Sequence, residues 1–131
     1  MPETVLVVDD HSLVLTTLVK TLMRAGFDVL PALSGEEALE IASNLHRPID
    51  LLVCDVILPG IQGTELARRL SEFHPETRCL FISGLPDHPR ITQDVANSGQ
   101  MLLPKPFLPQ VLIRKAREVL GSEWCVLGSM I

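Results

Sequence analysis

Short apolar runs alternate along this chain with longer stretches in which apolar residues recur at helical spacing, and the alternation is repeated five times within 131 residues. Such alternation restricts the fold to a parallel α/β sheet, because parallel neighbours must be joined by crossover helices that then cover both faces. The strand candidates are Val5–Val8, Asp28–Ala32, Leu51–Cys54, Cys79–Ile82 and Met101–Leu103. Most are apolar almost throughout, as strands covered on both faces should be, and Asp28–Ala32 fits that pattern least well.

The intervals carry the helices. From Ser12 to Ala25, Leu15, Leu18, Val19 and Leu22 follow helical spacing, with Gly26 as the stop. Ser34 precedes Gly35-Glu36-Glu37, a serine cap with a glutamate three residues on, and Ala38, Leu39, Ile41 and Ala42 continue a second helix. Gly63 to Phe73 supplies Leu66, Ala67 and Leu70 for a third. A fourth, from about Pro89 to Asn97, is polar, with Ile91 and Val95 as its anchors, and should pack most weakly. Pro109 to Leu120 supplies Leu112, Ala116 and Val119 for the fifth, which Gly121 is expected to terminate. The segment 122–131 shows no periodicity and is read as a tail or linker stub after a domain over 4–121.

The length suits one domain with its own core. Apolar residues make up 47%, yet no run is long enough to cross a bilayer, and the start at Met1-Pro2-Glu3 lacks the basic end and apolar stretch of a signal peptide. The expectation is a cytoplasmic protein without membrane contact. A net charge of −5 argues against direct nucleic-acid binding, which needs a concentrated basic patch. Cys54, Cys79 and Cys125 form no CxxC pair and are odd in number, so they suit neither a disulfide framework nor a zinc site. Cys54 and Cys79 lie in apolar runs and read as small core residues.

Polar residues collect where the strands end: Asp9-Asp10 after the first, Asp55 after the third, Ser83 after the fourth and Lys105 after the fifth. In an open α/β sheet that edge is where ligands bind. One acidic residue after a strand can merely cap the next helix, but five polar residues at four strand ends are harder to dismiss. Carboxylates without a neighbouring counter-charge in sequence are tolerated by protonation or by a cation, and a hard ion such as Mg²⁺ suits them. His11 beside the two acids could ligate a metal or carry a phosphoryl group, but is read first as the opening of the first helix. His46, His74 and His88 lack ligand spacing and read as solvated surface, as does Arg68-Arg69.

The segments VLVVDD, CDVILPGIQG, FISG and LLPKPF, in this order and spacing, resemble the receiver domain of two-component response regulators from Thr4 to about Leu120. The resemblance implies a flavodoxin-like (βα)5 fold, a doubly wound parallel five-stranded sheet of order 2-1-3-4-5, with the usual right-handed crossovers. It assigns Asp55 as phosphoryl acceptor. Asp10 and Asp55 would hold Mg²⁺ directly, Asp9 through water, and the Ile57 carbonyl would complete the protein ligands. Lys105 would pair with phosphoryl oxygens, a cis Lys105–Pro106 bond would aim it inward, and Ser83 would be the switching hydroxyl. The implied donor is a histidine kinase or a histidine phosphotransfer protein, and the implied product is an altered partner-binding surface, not a turnover enzyme. The family's output surfaces, around the fourth helix, fifth strand and fifth helix, also admit a homodimer.

The chain departs from the family at Leu102, which stands three before Lys105 where receivers usually carry an aromatic ring, so coupling through a rotating ring cannot operate. Ile57 and Leu85 are apolar at positions that in many receivers govern water access to the acyl phosphate, which implies slow dephosphorylation. The rival readings are a degenerate receiver used as a docking module, which Leu102 favours and intact Asp10, Asp55 and Lys105 oppose, and an Asp-nucleophile phosphatase of the haloacid-dehalogenase type, whose DxD signature is missing. A dinucleotide-binding enzyme would need a GxGxxG after the first strand, which is also missing.

Overall fold

The computed structural model describes residues 2–84 and 101–130, the last nine of them as backbone only. The expected helix at Pro89 to Asn97, Leu85, His88 and the side chains of Trp124 and Cys125 lie outside the described residues. Strands β1 (Thr4–Val8), β2 (Asp28–Ala32), β3 (Leu51–Asp55), β4 (Arg78–Ser83) and β5 (Met101–Pro104) form one parallel sheet in the order β2-β1-β3-β4-β5. Helices α1 (Ser12–Arg24), α2 (Gly35–Asn44), α3 (Gly63–Phe73) and α4 (Pro109–Met130) flank it. The doubly wound, flavodoxin-like class expected from the sequence is the one observed. Pro31 is accommodated because β2 is an edge strand, where a missing N–H costs no ladder bond on the outer side.

Alternate strand residues face opposite layers. Val5, Val7, Leu51, Val53, Leu80, Ile82 and Leu103 pack against Leu15, Leu18 and Leu22 of α1 and Leu112, Ala116 and Val119 of α4. Leu6, Val8, Leu52, Cys54 and Phe81 pack against Ala38 and Ala42 of α2 and Leu66 and Leu70 of α3. Cys54 is fully buried there and Cys79 half-buried at its margin, as small core residues.

The helix ends follow local chemistry. Gly26, at φ +98°, lets its own N–H donate to Met23 O (3.0 Å) and the Phe27 N–H donate to Leu22 O (3.2 Å), the paired bonds of a Schellman stop. Ser34 Oγ accepts from the Glu37 N–H at 3.0 Å, and Glu37 Oε2 accepts from the Leu33 N–H at 3.3 Å. The expectation that Gly121 ends the last helix is corrected: α4 runs through it to Met130. Among the described residues only Gly26 and Gly60 take positive φ, so Gly121 never enters the left-handed region that would turn the chain. No proline follows it, and one helical glycine costs only about 1 kcal/mol relative to alanine. The boundary expected at 121/122 therefore falls inside a continuous helix. No helix among the described residues is long and apolar enough to cross a membrane.

Candidate functional site

Strand register assembles the site. Val8 pairs with Cys54, Asp55 with Ile82 and Ser83 with Pro104, so Asp9, Asp55, Ser83 and Lys105 occur at or one step past four neighbouring strand ends. Ladder-like bonds continue into that step: Asp9 N–H to Ala32 O (3.2 Å), Val56 N–H to Ile82 O (3.0 Å) and Lys105 N–H to Ser83 O (2.8 Å). The backbone beneath the site is thereby fixed. The Lys105–Pro106 bond is cis.

A cavity of about 340 Å³ opens at this edge, lined in part by Asp10, His11, Asp55, Ile57, Ser83 and Lys105. Lys105 Nζ stands 3.1 Å from Asp55 Oδ1 and 3.7 Å from Asp9 Oδ2. Asp9 is fully buried; its Oδ1 accepts from the His11 N–H at 2.8 Å, while Oδ2 has no hydrogen-bond partner among the described residues. Burial, and then the neighbouring Asp9 carboxylate, push the Asp55 carboxyl up to about 7, against the opposing pull of Lys105. Burial also pushes the Cys54 thiol well up, which leaves it inert beside the reactive edge.

Among the described residues, Asp9, Asp10 and Asp55 thus gather at an edge where Lys105 is the ammonium, paired with Asp55 and Asp9. A buried carboxylate oxygen without a partner and a second carboxyl forced towards protonation are the marks of a site short of positive charge. The donors are hard oxygens, so the residues present fit Mg²⁺. His11 caps α1, as expected, and is in addition a wall of the cavity.

Two glycines had no functional reading of their own in the sequence. The N–H of Gly63 donates to Val56 O at 2.9 Å, and a Cβ on Gly63 would fall 2.2 Å from Asp55 O and 3.0 Å from Cys54 Sγ. The first turn of α3 therefore presses directly on the backbone that carries Asp55. Gly84 likewise lies against the Lys105 stem, 3.3 Å from a Cβ position to Cδ. Close approach of this kind is a tertiary fact without local signature.

A cavity of about 370 Å³ near the opposite ends of the strands, lined in part by His46, Arg47, Phe73 and His74, contains none of the strand-end acids. Its His74 is half-buried, with Nε2 2.9 Å from Ala42 O, which corrects the expectation of a solvated side chain. The loop before β4 folds back on the end of α2 and gives the ring a backbone partner. His46 is exposed, and Arg68 and Arg69 form a solvated face paired with Glu65.

A doubly wound parallel sheet whose carboxyl edge gathers an acidic cluster, a strand-end aspartate and a lysine is the architecture of a receiver-type signalling domain. The family profile described as response regulator receiver domain matches residues 5–117, and the chain belongs to that family. It is 36% identical over 120 residues to the sensor kinase CckA of Brucella abortus (strain 2308), covering 92% of this chain and 13% of that protein. It is 30% identical over 116 residues to the response regulator receiver protein CpdR of the same strain, covering 88% and 95% respectively. Among solved structures, the receiver domain of the hybrid histidine kinase CckA superposes with a TM-score of 0.73 at 33% identity, covering 89% of this chain and 98% of that one. The chain therefore spans a small part of the kinase relative and almost the whole of the CpdR relative.

Proposed function

We propose that Asp55 accepts a phosphoryl group from a phosphohistidine donor, a histidine kinase or a histidine phosphotransfer protein, in a Mg²⁺-dependent step. The observation that carries this reading is the pairing of Asp55, at the end of β3, with Lys105 at 3.1 Å in a cavity walled by a further carboxylate. A carboxylate oxygen of Asp55 forms the new bond to phosphorus as the phosphorus–nitrogen bond of the donor breaks, and the leaving imidazole takes up the proton it needs from solvent. Ionised Asp55 is the nucleophile, and Lys105 favours that form.

Phosphoryl transfer asks mainly for positioning and charge neutralisation. Bound Mg²⁺ would supply neutralisation at the phosphoryl oxygens. Asp10, Asp55 and the Ile57 carbonyl would hold it directly, and Asp9 through water. Lys105 places a compact charge against the phosphoryl oxygens, and the Ser83 hydroxyl moves to bond one of them. That movement changes a surface read by a downstream partner in the cytoplasm, and a homodimer is one form such a readout can take. The domain switches and does not turn over a substrate.

Intact mass after incubation with acetyl phosphate, with and without Mg²⁺ and alongside Asp55→Ala, tests the reading. One added phosphoryl group that requires both Mg²⁺ and Asp55 is expected. No addition in a protein that binds Mg²⁺ would make the chain a docking module instead.

A further inference from the structure

We propose that Gln62 is a positioning residue for the phosphoacceptor site: its side chain holds the peptide between Ile57 and Leu58 so that the Ile57 carbonyl is turned to the cavity. The inference rests on the metal-dependent reading given above and deepens it, because Gln62 is not among the residues that line that cavity.

The chain leaves β3 with its peptides held one after another. The Val56 N–H donates to Ile82 O at 3.0 Å and Val56 O accepts from the Gly63 N–H at 2.9 Å, so the backbone is fixed on both sides of Val56. The peptide that follows Ile57 is held differently: its N–H, that of Leu58, donates to Gln62 Oε1 at 3.4 Å, a long bond of modest strength. Leu58 is 1% exposed, so its N–H is shut off from water and needs a protein partner. The Ile57–Leu58 peptide is trans, and the C=O and N–H of a planar trans peptide point in opposite directions. Drawing the Leu58 N–H towards Gln62 therefore turns the Ile57 C=O away from the start of α3, and Ile57 and Pro59 on either side of Leu58 both line the cavity.

The place of Gln62 in its own helix points the same way independently. It is the N-cap of α3, with extended backbone at φ −68° and ψ 156°, where Ser, Thr, Asp or Asn would turn a short side chain onto the free N–H groups of the first turn. Gln62 makes no such bond. One methylene longer than Asn, it carries its oxygen back over the loop to a donor four residues earlier. The loop between them is shaped for that return: Pro59 restricts Leu58 to extended conformations, and Gly60 takes the turn at φ +76°. The helix start thus goes without a side-chain cap, while the loop beside Asp55 gains a tie.

Nuclear magnetic resonance of the isotope-labelled whole chain tests this on the wild type, on Gln62→Met, which removes the acceptor at similar length, and on Gln62→Glu, which keeps it. In chelator, the Leu58 amide of Gln62→Met is expected to exchange with solvent about threefold faster than in the wild type, the size of one modest hydrogen bond, and that of Gln62→Glu to match the wild type. During titration with MgCl₂ the Ile57 carbonyl carbon should shift in the wild type and in Gln62→Glu. In Gln62→Met the Kd for Mg²⁺ should rise about threefold and the Ile57 shift should shrink, while the Asp10 carboxyl carbon still responds and the melting temperature in chelator is unchanged. Wild-type Kd and wild-type Ile57 shift in Gln62→Met overturn the role of Gln62 and leave the metal site standing. A loss of affinity that tracks a lowered melting temperature, with Ile57 unaffected, overturns it too and makes Gln62 a structural residue. No shift at Asp10, Asp55 or Ile57 in any of the proteins overturns both readings.

Discussion

Lys105 Nζ lies 3.1 Å from Asp55 Oδ1, so the ammonium that reaches the cavity is already engaged by the carboxylate at the end of β3, and Asp9, at 3.7 Å, is left under-compensated. The imbalance appears in the titration of Asp55, raised from the ordinary 3.8 to about 7 by burial and by Asp9.

The consequence for the metal-free protein has a definite sign. Between about pH 4 and pH 7 the folded state holds a proton on Asp55 that the unfolded chain has released, so stability falls as pH rises through that window and levels off above it. The charged form costs on the order of 2 to 4 kcal/mol. In chelator, Asp55→Asn is therefore expected to melt several degrees above the wild type at pH 8 and to match it near pH 4. Parallel melting curves for the two proteins across this range would remove the argument.

The packing of α3 against β3 predicts an asymmetry between two glycines. A Cβ at Gly63 would meet Asp55 O at 2.2 Å, a backbone atom that cannot swing away, whereas at Gly121 it would meet nothing within 4 Å. Gly63→Ala should cost about 1 to 3 kcal/mol by overpacking and should slow phosphorylation by displacing Asp55. Gly121→Ala should stabilise by up to about 1 kcal/mol, because the residue is helical. Urea unfolding of both variants measures the contrast, and equal effects would count against the close approach.

Most of the architecture was legible because each layer of the sequence said the same thing. The run Val5 to Val8 is apolar on both faces since β1 is central and covered on both sides, and Leu15, Leu18 and Leu22 mark the buried stripe of α1. The strand-end acids and Lys105 were legible for the same reason: the register of a parallel sheet brings the ends of β1, β3, β4 and β5 together. What escaped was non-local. The persistence of α4 through Gly121 depends on a backbone angle, the half-buried state of His74 on where the loop before β4 lands, and the role of Gly63 on an approach measured in tenths of an ångström.

The serine cap of α2 separates stability from function. Ser34 Oγ accepts the Glu37 N–H at 3.0 Å at a position that does not line the cavity. Ser34→Ala should lower stability by about 1 kcal/mol and leave the rate and extent of labelling by acetyl phosphate unchanged. Thermal unfolding and intact mass read the two properties separately. A change in labelling rate would mean that α2 is coupled to the site.

Ile57 bears on how long the phosphoryl group persists. It lines the cavity two residues past Asp55, with an apolar side chain that can neither hold a water nor take its proton. Hydrolysis of the acyl phosphate needs a water aligned opposite the carboxylate oxygen, and a group that orients that water contributes through general acid–base catalysis or positioning. Ile57→Asn offers an amide that can do so, and the expected outcome is a phosphoryl half-life at least several-fold shorter than in the wild type, with uptake from acetyl phosphate still dependent on Mg²⁺. The decay is read by intact mass at successive times after the donor is removed. An unchanged half-life would mean that access of water to Asp55 is controlled elsewhere in the cavity wall.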